Sequence, residues 1–242
     1  MKLTRVLIYY LIIPLFFFMS TQSWSADNTT TVSYLEGPAF KSKDGKDWKP
    51  LLRGDYLGAN ESVKTGLRTR LELTLPDGSK VRFSENTLFK VESLLVTEEE
   101  RRFEMKAIFG KVWFKVKKYK KLKKISVYEV KTATAVAGVR GTTFRIDANE
   151  DLSSLVKVYE GEVSVNSLPT ESEDKGTKPK YISGPKEVKG PHEVSREEWS
   201  YIVKSWQQIA VSPEGAASKP VSFSPEEDKS DWVLWNQEMD KE

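Results

Sequence analysis

Apolar and polar residues alternate in short runs over most of the chain, from about residue 31 to residue 182. Residues 71–75 and 81–83 show the alternation clearly, and the tight-turn sequence Pro-Asp-Gly-Ser joins them at 76–79. Alternation with a period of two predicts strands that bury one face, and such a turn between two runs predicts a β-hairpin. Turn signals recur roughly every 8 to 15 residues, which favours an all-β fold, either a sandwich or a roll of short stacked strands.

Two helix signals follow near the end of the chain, in residues 191–242. Ser195 and Glu198 have the spacing of a capping box, and a second start signal lies at 224–227, with proline at the first helical position. We therefore predict one or two amphipathic C-terminal helices that pack on the β domain. The alternative is that their tryptophans dock on a partner. The apolar face of the first helix would comprise Trp199, Ile202, Val203, Trp206 and Ile209, and that of the second Trp232, Val233 and Trp235.

Residues 1–25 have the order of a secretory signal peptide. Two positive charges within the first five residues precede the apolar run 6–19, and Ser23 and Ser25 are small enough for a cleavage site that ends at Ser25. The apolar run is shorter than the roughly 18 residues of a spanning helix, so an uncleaved anchor is the less favoured alternative. We expect an exported or periplasmic protein with no cytoplasmic domain and no transmembrane segment after cleavage.

Composition narrows the classes of function. The chain has no cysteine, which excludes disulfides, thiolate metal sites and a lipid-modified N-terminal cysteine. Loss of residues 1–25 lowers the formal net charge from +3 to +1, so no overall field attracts nucleic acid. The one histidine, His192, has no nucleophile signature beside it, and no metal-ligand spacing occurs. We therefore expect no catalysis, no cofactor and no metal.

Positive charge is concentrated between residues 111 and 124, which include eight lysines interleaved with three aromatic residues. In an exported protein such a cluster points to anionic lipid head groups or glycans. The alternative, which we favour, is a solvated strand edge or hairpin tip whose lysines discourage strand-to-strand aggregation. The side chains that would bind an anionic surface are Lys117, Lys118, Lys120, Lys121 and Trp113.

The segment 130–146 is the most unusual in the chain. Its small residues allow backbones to approach closely, and Gly138 and Gly141 lie on either side of Arg140. We expect several acceptors to hold the guanidinium, either backbone carbonyls or a carboxylate such as that of Asp55 or Glu160, so that the arginine locks a strand crossing.

Five segments resemble the signatures of the FecR domain family, in the family's order. They are 54–57, 63–66, 73–79, 135–144 and 158–163, and the resemblance extends over about 32–190. The run Ala-Gly-Val-Arg-Gly-Thr-Thr-Phe is its specific part, although this chain has Thr132-Ala133 where the family often has Thr-Pro. The resemblance marks these residues as structural motif positions: Gly54, Asp55, Thr65, Asp77, Gly78, Gly138, Arg140, Gly141, Thr142, Phe144, Glu160 and Gly161.

The resemblance implies the periplasmic β-rich domain of regulators of iron-uptake signalling. Those regulators add a membrane span and a cytoplasmic arm that controls a sigma factor, whereas this chain resembles the periplasmic part alone. The favoured function is thus a non-catalytic binding or sensing module that contacts an envelope protein, and not control of a sigma factor by this chain. A binder of anionic glycan or lipid is the alternative, and an enzyme is least favoured.

Overall fold

The computed structural model describes residues 29–97, 100–118, 126–168 and 200–241, and this part of the chain holds seventeen strands and one helix. The strands are β1 (Thr30–Glu36), β2 (Ala39–Ser42), β3 (Lys49–Pro50), β4 (Tyr56–Leu57), β5 (Ser62–Thr65), β6 (Arg70–Thr74), β7 (Lys80–Phe83), β8 (Leu88–Val96), β9 (Arg101–Lys115), β10 (Ser126–Lys131), β11 (Ala135–Val139), β12 (Thr143–Ala148), β13 (Ser154–Glu160), β14 (Glu162–Ser167), β15 (Ser200–Lys204), β16 (Gln207–Val211) and β17 (Val221–Ser222), and the helix is α1 (Asp231–Met239). The predicted signal peptide, His192, Ser195, Trp199, Lys120 and Lys121 lie outside the described residues.

The strands form two sheets that share β9. Sheet A has the order β4-β1-β6-β7-β9-β12-β13-β16-β17, and sheet B has the order β3-β2-β5-β8-β9-β10-β11-β14-β15. β9 and β10 pair in parallel, and the other ladders of the described residues are antiparallel. The prediction of an all-β fold is confirmed, and its stacked strands alternate between two layers.

β9 belongs to both sheets because it bends at Gly110. Residues before the bend pair with β8 and β10 in sheet B, and residues after it pair with β7 and β12 in sheet A. Gly110 has φ +101°, and a Cβ there would lie 2.3 Å from Oγ1 of Thr87. Only glycine combines this backbone conformation with so close an approach.

The core lies between the two sheets. Phe83 of sheet A stacks on Phe89 of sheet B, with ring centroids 3.7 Å apart. Phe114 and Phe144 stack side by side within sheet A at 4.6 Å, and both are almost fully buried. The alternation seen in the sequence thus produces one apolar face on each sheet, and the two faces meet.

The predicted helix through residues 199–209 is wrong, because this part of the chain forms β15 and β16. Val203 and Ile209 are buried, whereas Ile202 is 51% and Trp206 39% exposed, so the helical spacing of these residues is coincidental. The two strands extend both sheets: β15 pairs with β14 and β16 with β13. Pairing satisfies backbone groups that a helix would have left open at two sheet edges.

The second helix prediction is correct in kind but begins too early. Ser224 and Glu227 form the expected reciprocal cap, with Ser224 N donating to Glu227 Oε2 at 2.7 Å, yet residues 225–228 make only a turn. α1 begins after Ser230, whose Oγ accepts from the N–H of Val233. The helix lies on the outer face of sheet A, in cis. No helix in the described part of the chain is long and apolar enough to cross a membrane.

Candidate functional site

Three crossings between the sheets meet at one end of the second half of the fold. Residues 140–142 lead from β11 to β12, Gly161 leads from β13 to β14, and residues 205–206 lead from β15 to β16. Ser205 Oγ donates to the Gly161 carbonyl at 3.0 Å, and the N–H of Trp206 donates to the Val158 carbonyl at 2.7 Å. The two most distinctive glycine motifs of the sequence therefore lie side by side at one corner.

Gly141 and Gly161 explain why this corner needs glycine. Both have positive φ, at +64° and +84°, and a Cβ on Gly161 would lie 2.7 Å from Cγ2 of Thr142 and 3.2 Å from the Gly141 carbonyl. Thr142 is buried, and its carbonyl accepts from the N–H of Val116 at 2.9 Å. The expected lock on a strand crossing exists, but glycines and a backbone hydrogen bond form it.

Arg140 does not have the expected role in that lock. Its side chain is exposed and makes no hydrogen bond or ion pair within the described residues. Asp55, one of the carboxylates proposed for it, instead pairs with Lys41 at 3.2 Å, and Glu160, the other, is exposed. A close backbone crossing leaves no room for a guanidinium inside it, so Arg140 projects from the corner.

Two other motif positions, Thr65 and Asp77, make local hydrogen bonds in a crossing and a turn. Thr65 Oγ1 donates to the Ser84 carbonyl at 2.7 Å and accepts from the N–H of Thr87 at 2.8 Å, which closes the crossing from β5 to β6. Asp77 accepts from the N–H of Ser79 at 2.8 Å in the predicted hairpin turn.

Two further motif glycines have positive φ. Gly78 has φ +80° in the hairpin turn, and Gly54 has φ +90° in an open loop. The sequence is thus accurate where a turn or a crossing requires a particular backbone conformation.

A cleft of about 1020 Å³ opens at the corner where the crossings meet. Three exposed cations line it, Lys118, Arg140 and Lys204, with a single acid, Glu162. Gly138 and Ser164 are directly opposed on β11 and β14, and a Cβ on Gly138 would have its nearest contact only at 3.9 Å. The cleft therefore has a small-residue floor, a basic rim and one exposed apolar side chain, Ile202.

The lysine cluster is divided by the fold. Lys117 and Lys118 are exposed, and Lys118 lies in the cleft. Lys115 instead pairs with Asp240 on the outer face of sheet A. Trp113 is only 1% exposed, so the expectation that it contacts a partner together with the lysines is wrong for this structure. Trp232 and Asp240, near the end of the chain, cover it.

A second polar cluster lies on the outer face of sheet A, beneath the C-terminal segment, which we define as residues 223–241. Cross-strand pairing places six residues in one row across six strands. In order they are Glu72, Arg82, Trp113, Arg145, Lys157 and Gln208.

Asp228 joins one end of this row to the C-terminal segment. Its carboxylate accepts from Arg145 Nη1 at 3.1 Å, Lys157 Nζ at 2.8 Å and the Tyr159 hydroxyl at 2.5 Å. Burial favours the neutral acid, but the hydrogen bonds from Lys157 and Tyr159 and the charge of Arg145 hold the pKa of Asp228 below its ordinary value. Burial raises the pKa of Tyr159, so its phenol remains a donor.

Asp240 makes the equivalent contact at the other end of the row. Arg82 Nη1 donates to its Oδ1 at 2.6 Å, and Trp113 Nε1 donates to its Oδ2 at 3.1 Å. Glu72 accepts from Arg82 Nε at 2.6 Å. Burial opposes the charge of Glu72, yet hydrogen bonds from Ser33, Arg82 and Lys80 lower its pKa. Each end of the C-terminal segment is thus held by one aspartate.

The tryptophans contribute to the same cover. Trp232 meets Trp113 edge to face at 6.2 Å, and Trp235 lies 5.6 Å from the ring of Tyr34 with the Arg70 guanidinium over it. Trp206, at the crossing from β15 to β16, is partly exposed against Tyr159. Of the four candidate tryptophans near the C-terminus, three therefore lie within the described residues, and each of the three makes ring contacts within the chain.

Sequence reasoning missed the buried ion pairs. Asp228 and Arg145 are 83 residues apart. Arg145 lies in the unusual segment 130–146, but that segment drew attention to Arg140 and not to Arg145. One signal was present: two basic residues, Arg145 and Lys157, alternate with apolar neighbours in strands that read as buried. Within the described residues no cluster of acidic, histidine or cysteine side chains could hold a metal ion.

Residues 61–164 match the family model described as FecR protein. The matched range includes the crossings at 140–142 and Gly161 and the motif at Thr65, and it begins after Gly54 and Asp55. The resemblance found from the sequence is confirmed for this region.

The chain is also similar to solved structures. Two crystal structures of a candidate anti-sigma factor from Parabacteroides distasonis ATCC 8503 each share 20% sequence identity with it at a TM-score of 0.47. The match covers 73% of this chain and 64% of that chain, slightly less than two thirds of its length. No curated protein sequence matches the chain.

Proposed function

We propose that the protein is a non-catalytic binding module of the cell envelope that works through contacts with another protein. The match of residues 61–164 to the FecR family model supports this proposal. The cleft at the sheet crossings is the protein's contact site. One observation supports this most strongly: the glycine motifs bring three crossings together at one corner, and three of the side chains exposed there are cations with no partner among the described residues.

The cleft has the features of a protein-contact site. Ile202 supplies exposed apolar surface at its edge, and Arg140 and Lys204 supply a basic rim. Arginine beside apolar surface is typical of protein interfaces. Charge on an exposed rim steers association and selects partners by complementarity, so the expected partner presents acidic residues here.

Cross-linking in envelope extracts tests this proposal. The variant Arg140→Glu/Lys204→Glu reverses two exposed charges of the cleft, and Lys46→Glu/Lys219→Glu reverses two exposed charges elsewhere. We expect the first variant to lose a specific cross-linked protein that the second retains. Equal cross-linking by wild type and both variants would exclude the cleft as the contact site.

A second candidate function is binding of an anionic lipid or glycan, and the basic lining of the cleft favours it. Lys118 contributes to that lining, and the segment that follows it is rich in lysine. Binding to vesicles that contain phosphatidylglycerol should then weaken steeply with salt. It should also be lost when Lys117, Lys118, Lys120 and Lys121 are replaced by glutamine. Binding that does not change with salt would rule this function out.

Export is the other part of the proposal. The order of charge, apolar run and small residues in 1–25 supports cleavage after Ser25. Mass spectrometry of the protein from periplasmic fractions should find an N-terminus at Ala26. An intact N-terminus on protein from the cytosol would contradict export.

A further inference from the structure

The outer face of sheet A and the C-terminal segment have opposite charge. Lys80, Arg82, Lys115, Arg145 and Lys157 project from neighbouring strands of the face, which also carries Glu72 and Asp147. The C-terminal segment, residues 223–241, has six acidic residues and two lysines. Complementary charge of this kind specifies which segment can lie on the face.

The pairing of Arg145 with Lys157 shows that the face is built to receive an anion. These two side chains are directly opposed on adjacent strands, and both are more than nine-tenths buried in the docked state. Like charges in directly opposed positions destabilise a sheet unless an opposite charge lies between them. Asp228 lies there, and Tyr159 adds a hydroxyl donor to the same carboxylate.

A second receiving site lies two strands away, across Trp113. Arg82 and the Trp113 indole donate to separate oxygens of Asp240, and Lys115 contacts the Asp240 carbonyl. The Trp113 ring between the two sites stacks on Tyr159 at 4.2 Å and meets Trp232 edge to face. The face therefore contacts two carboxylates of the segment and, between them, the aromatic ring of Trp232.

The C-terminal segment is held by these polar contacts together with a small aromatic cluster. Phe223 and Val233 are its buried apolar side chains, with Trp232 packed beside them. α1 has nine residues, and a helix this short is marginal in water without tertiary contacts. Loss of both aspartate contacts should therefore raise the fraction of molecules in which α1 is released.

We propose that the outer face of sheet A is a receptor for an acidic, tryptophan-bearing segment of a partner protein, and that residues 223–241 occupy it as a tethered stand-in. A tether supplies an effective concentration on the order of millimolar, so the chain's own segment suppresses binding in trans. A partner segment with two carboxylates and an intervening aromatic residue displaces it. This surface is separate from the cleft, so the proposal does not depend on the function assigned to the cleft.

A synthetic peptide with the sequence of residues 221–242 is the probe. The full chain carrying Asp228→Asn/Asp240→Asn keeps the receptor but weakens its own occupant. The matched control, Glu226→Gln/Glu238→Gln, removes the same charge from exposed positions that do not contact the face. Fluorescence anisotropy measures binding of the labelled peptide, and hydrogen exchange of 231–239 reports release of α1.

We expect the first variant to bind the peptide at least about 100-fold more tightly than wild type, with faster exchange in α1, because apparent affinity rises in proportion to the open fraction of the receptor. The control should behave as wild type, and a peptide with asparagine at both aspartates should not bind. Equal binding by the control variant, or by a peptide of scrambled order, would show attraction between net charges alone and overturn the proposal. Slow exchange in α1 of the first variant would also overturn it. If the double variant does not fold, Asp240→Asn alone is measured with the same criteria.

Discussion

Removal of the negative charge of Asp228 is the perturbation with the most specific consequences. Asp228→Asn keeps the shape of the side chain and removes the carboxylate that Arg145, Lys157 and Tyr159 share. Arg145 keeps its contact with Asp147, whose Oδ1 lies 2.9 Å from its Nε. Lys157 is then left opposite Arg145 on the next strand without its carboxylate.

The magnitude follows from burial. Removing one partner of a buried ion pair costs about 3–5 kcal/mol, and the asparagine oxygen can still accept one hydrogen bond, which favours the lower end. A loss of about 3 kcal/mol raises the open fraction of the C-terminal segment roughly 150-fold. The cost cannot exceed the free energy with which the segment docks, because the chain can release it and hydrate the cations.

Asp147→Asn is the matched control, since both aspartates contact Arg145. Burial raises the pKa of Asp147 even though Arg145 and Lys111 oppose the shift, so its charged form is less stable in the fold than in the unfolded chain. The lowered pKa of Asp228 means that its charged form is more stable in the fold than in the unfolded chain. Removing the charge of Asp147 should therefore cost less than about 1 kcal/mol, or stabilise.

Hydrogen exchange of 231–239 and thermal unfolding measure the two effects separately. We expect Asp228→Asn to accelerate exchange in α1 about 150-fold, and Asp147→Asn to leave it nearly unchanged. Thermal midpoints should fall by roughly 2–4 °C for each kcal/mol lost in a chain of this size. An equal loss for both variants would refute the assignment of opposite roles to the two carboxylates.

Three further outcomes are expected. Asp228 and Glu72 have lowered pKa values, so their charged forms stabilise the fold. This contribution to the free energy of unfolding is complete above the ordinary carboxyl pKa of about 4 and is lost as pH falls through the lowered pKa values. Hydrogen exchange in α1 that stayed constant down to pH 2 would contradict this. Gly161→Ala should destabilise more than Gly54→Ala in urea denaturation, because both glycines have positive φ but only at Gly161 would a Cβ have another atom, Cγ2 of Thr142, within 3 Å. The backbone strain alone is about 1–3 kcal/mol at each position. Arg140→Ala should change the free energy of unfolding by less than about 0.5 kcal/mol, since the side chain is exposed; a larger loss would restore its structural role.

Local signals predicted the first half of the fold well. The hairpin around Asp77 and Gly78 forms as expected, because the alternation and the turn chemistry are properties of a few adjacent residues. The same reasoning failed for Trp206 and Ile209. Their helical spacing is equally local, but two open sheet edges compete for the backbone and the strands win.

The candidate site, too, was predicted correctly in one part and wrongly in another. Gly141 and Gly161 were recognisable as special positions, and the expectation of a strand crossing there was correct. The partner assigned to Arg140 was wrong, because a motif shows which backbone must approach closely and not which side chain fills the space around it.

By itself the sequence determined the β-rich character of the central region, where glycine is indispensable and which family that region resembles, since each depends on neighbours along the chain. Only the tertiary structure decided that Asp228 lies between Arg145 and Lys157 and that Asp240 meets Arg82, a residue 158 positions earlier. The physical reason is that opposite charges interact strongly only at close range and out of water, and the stacking of strands in two sheets sets both conditions.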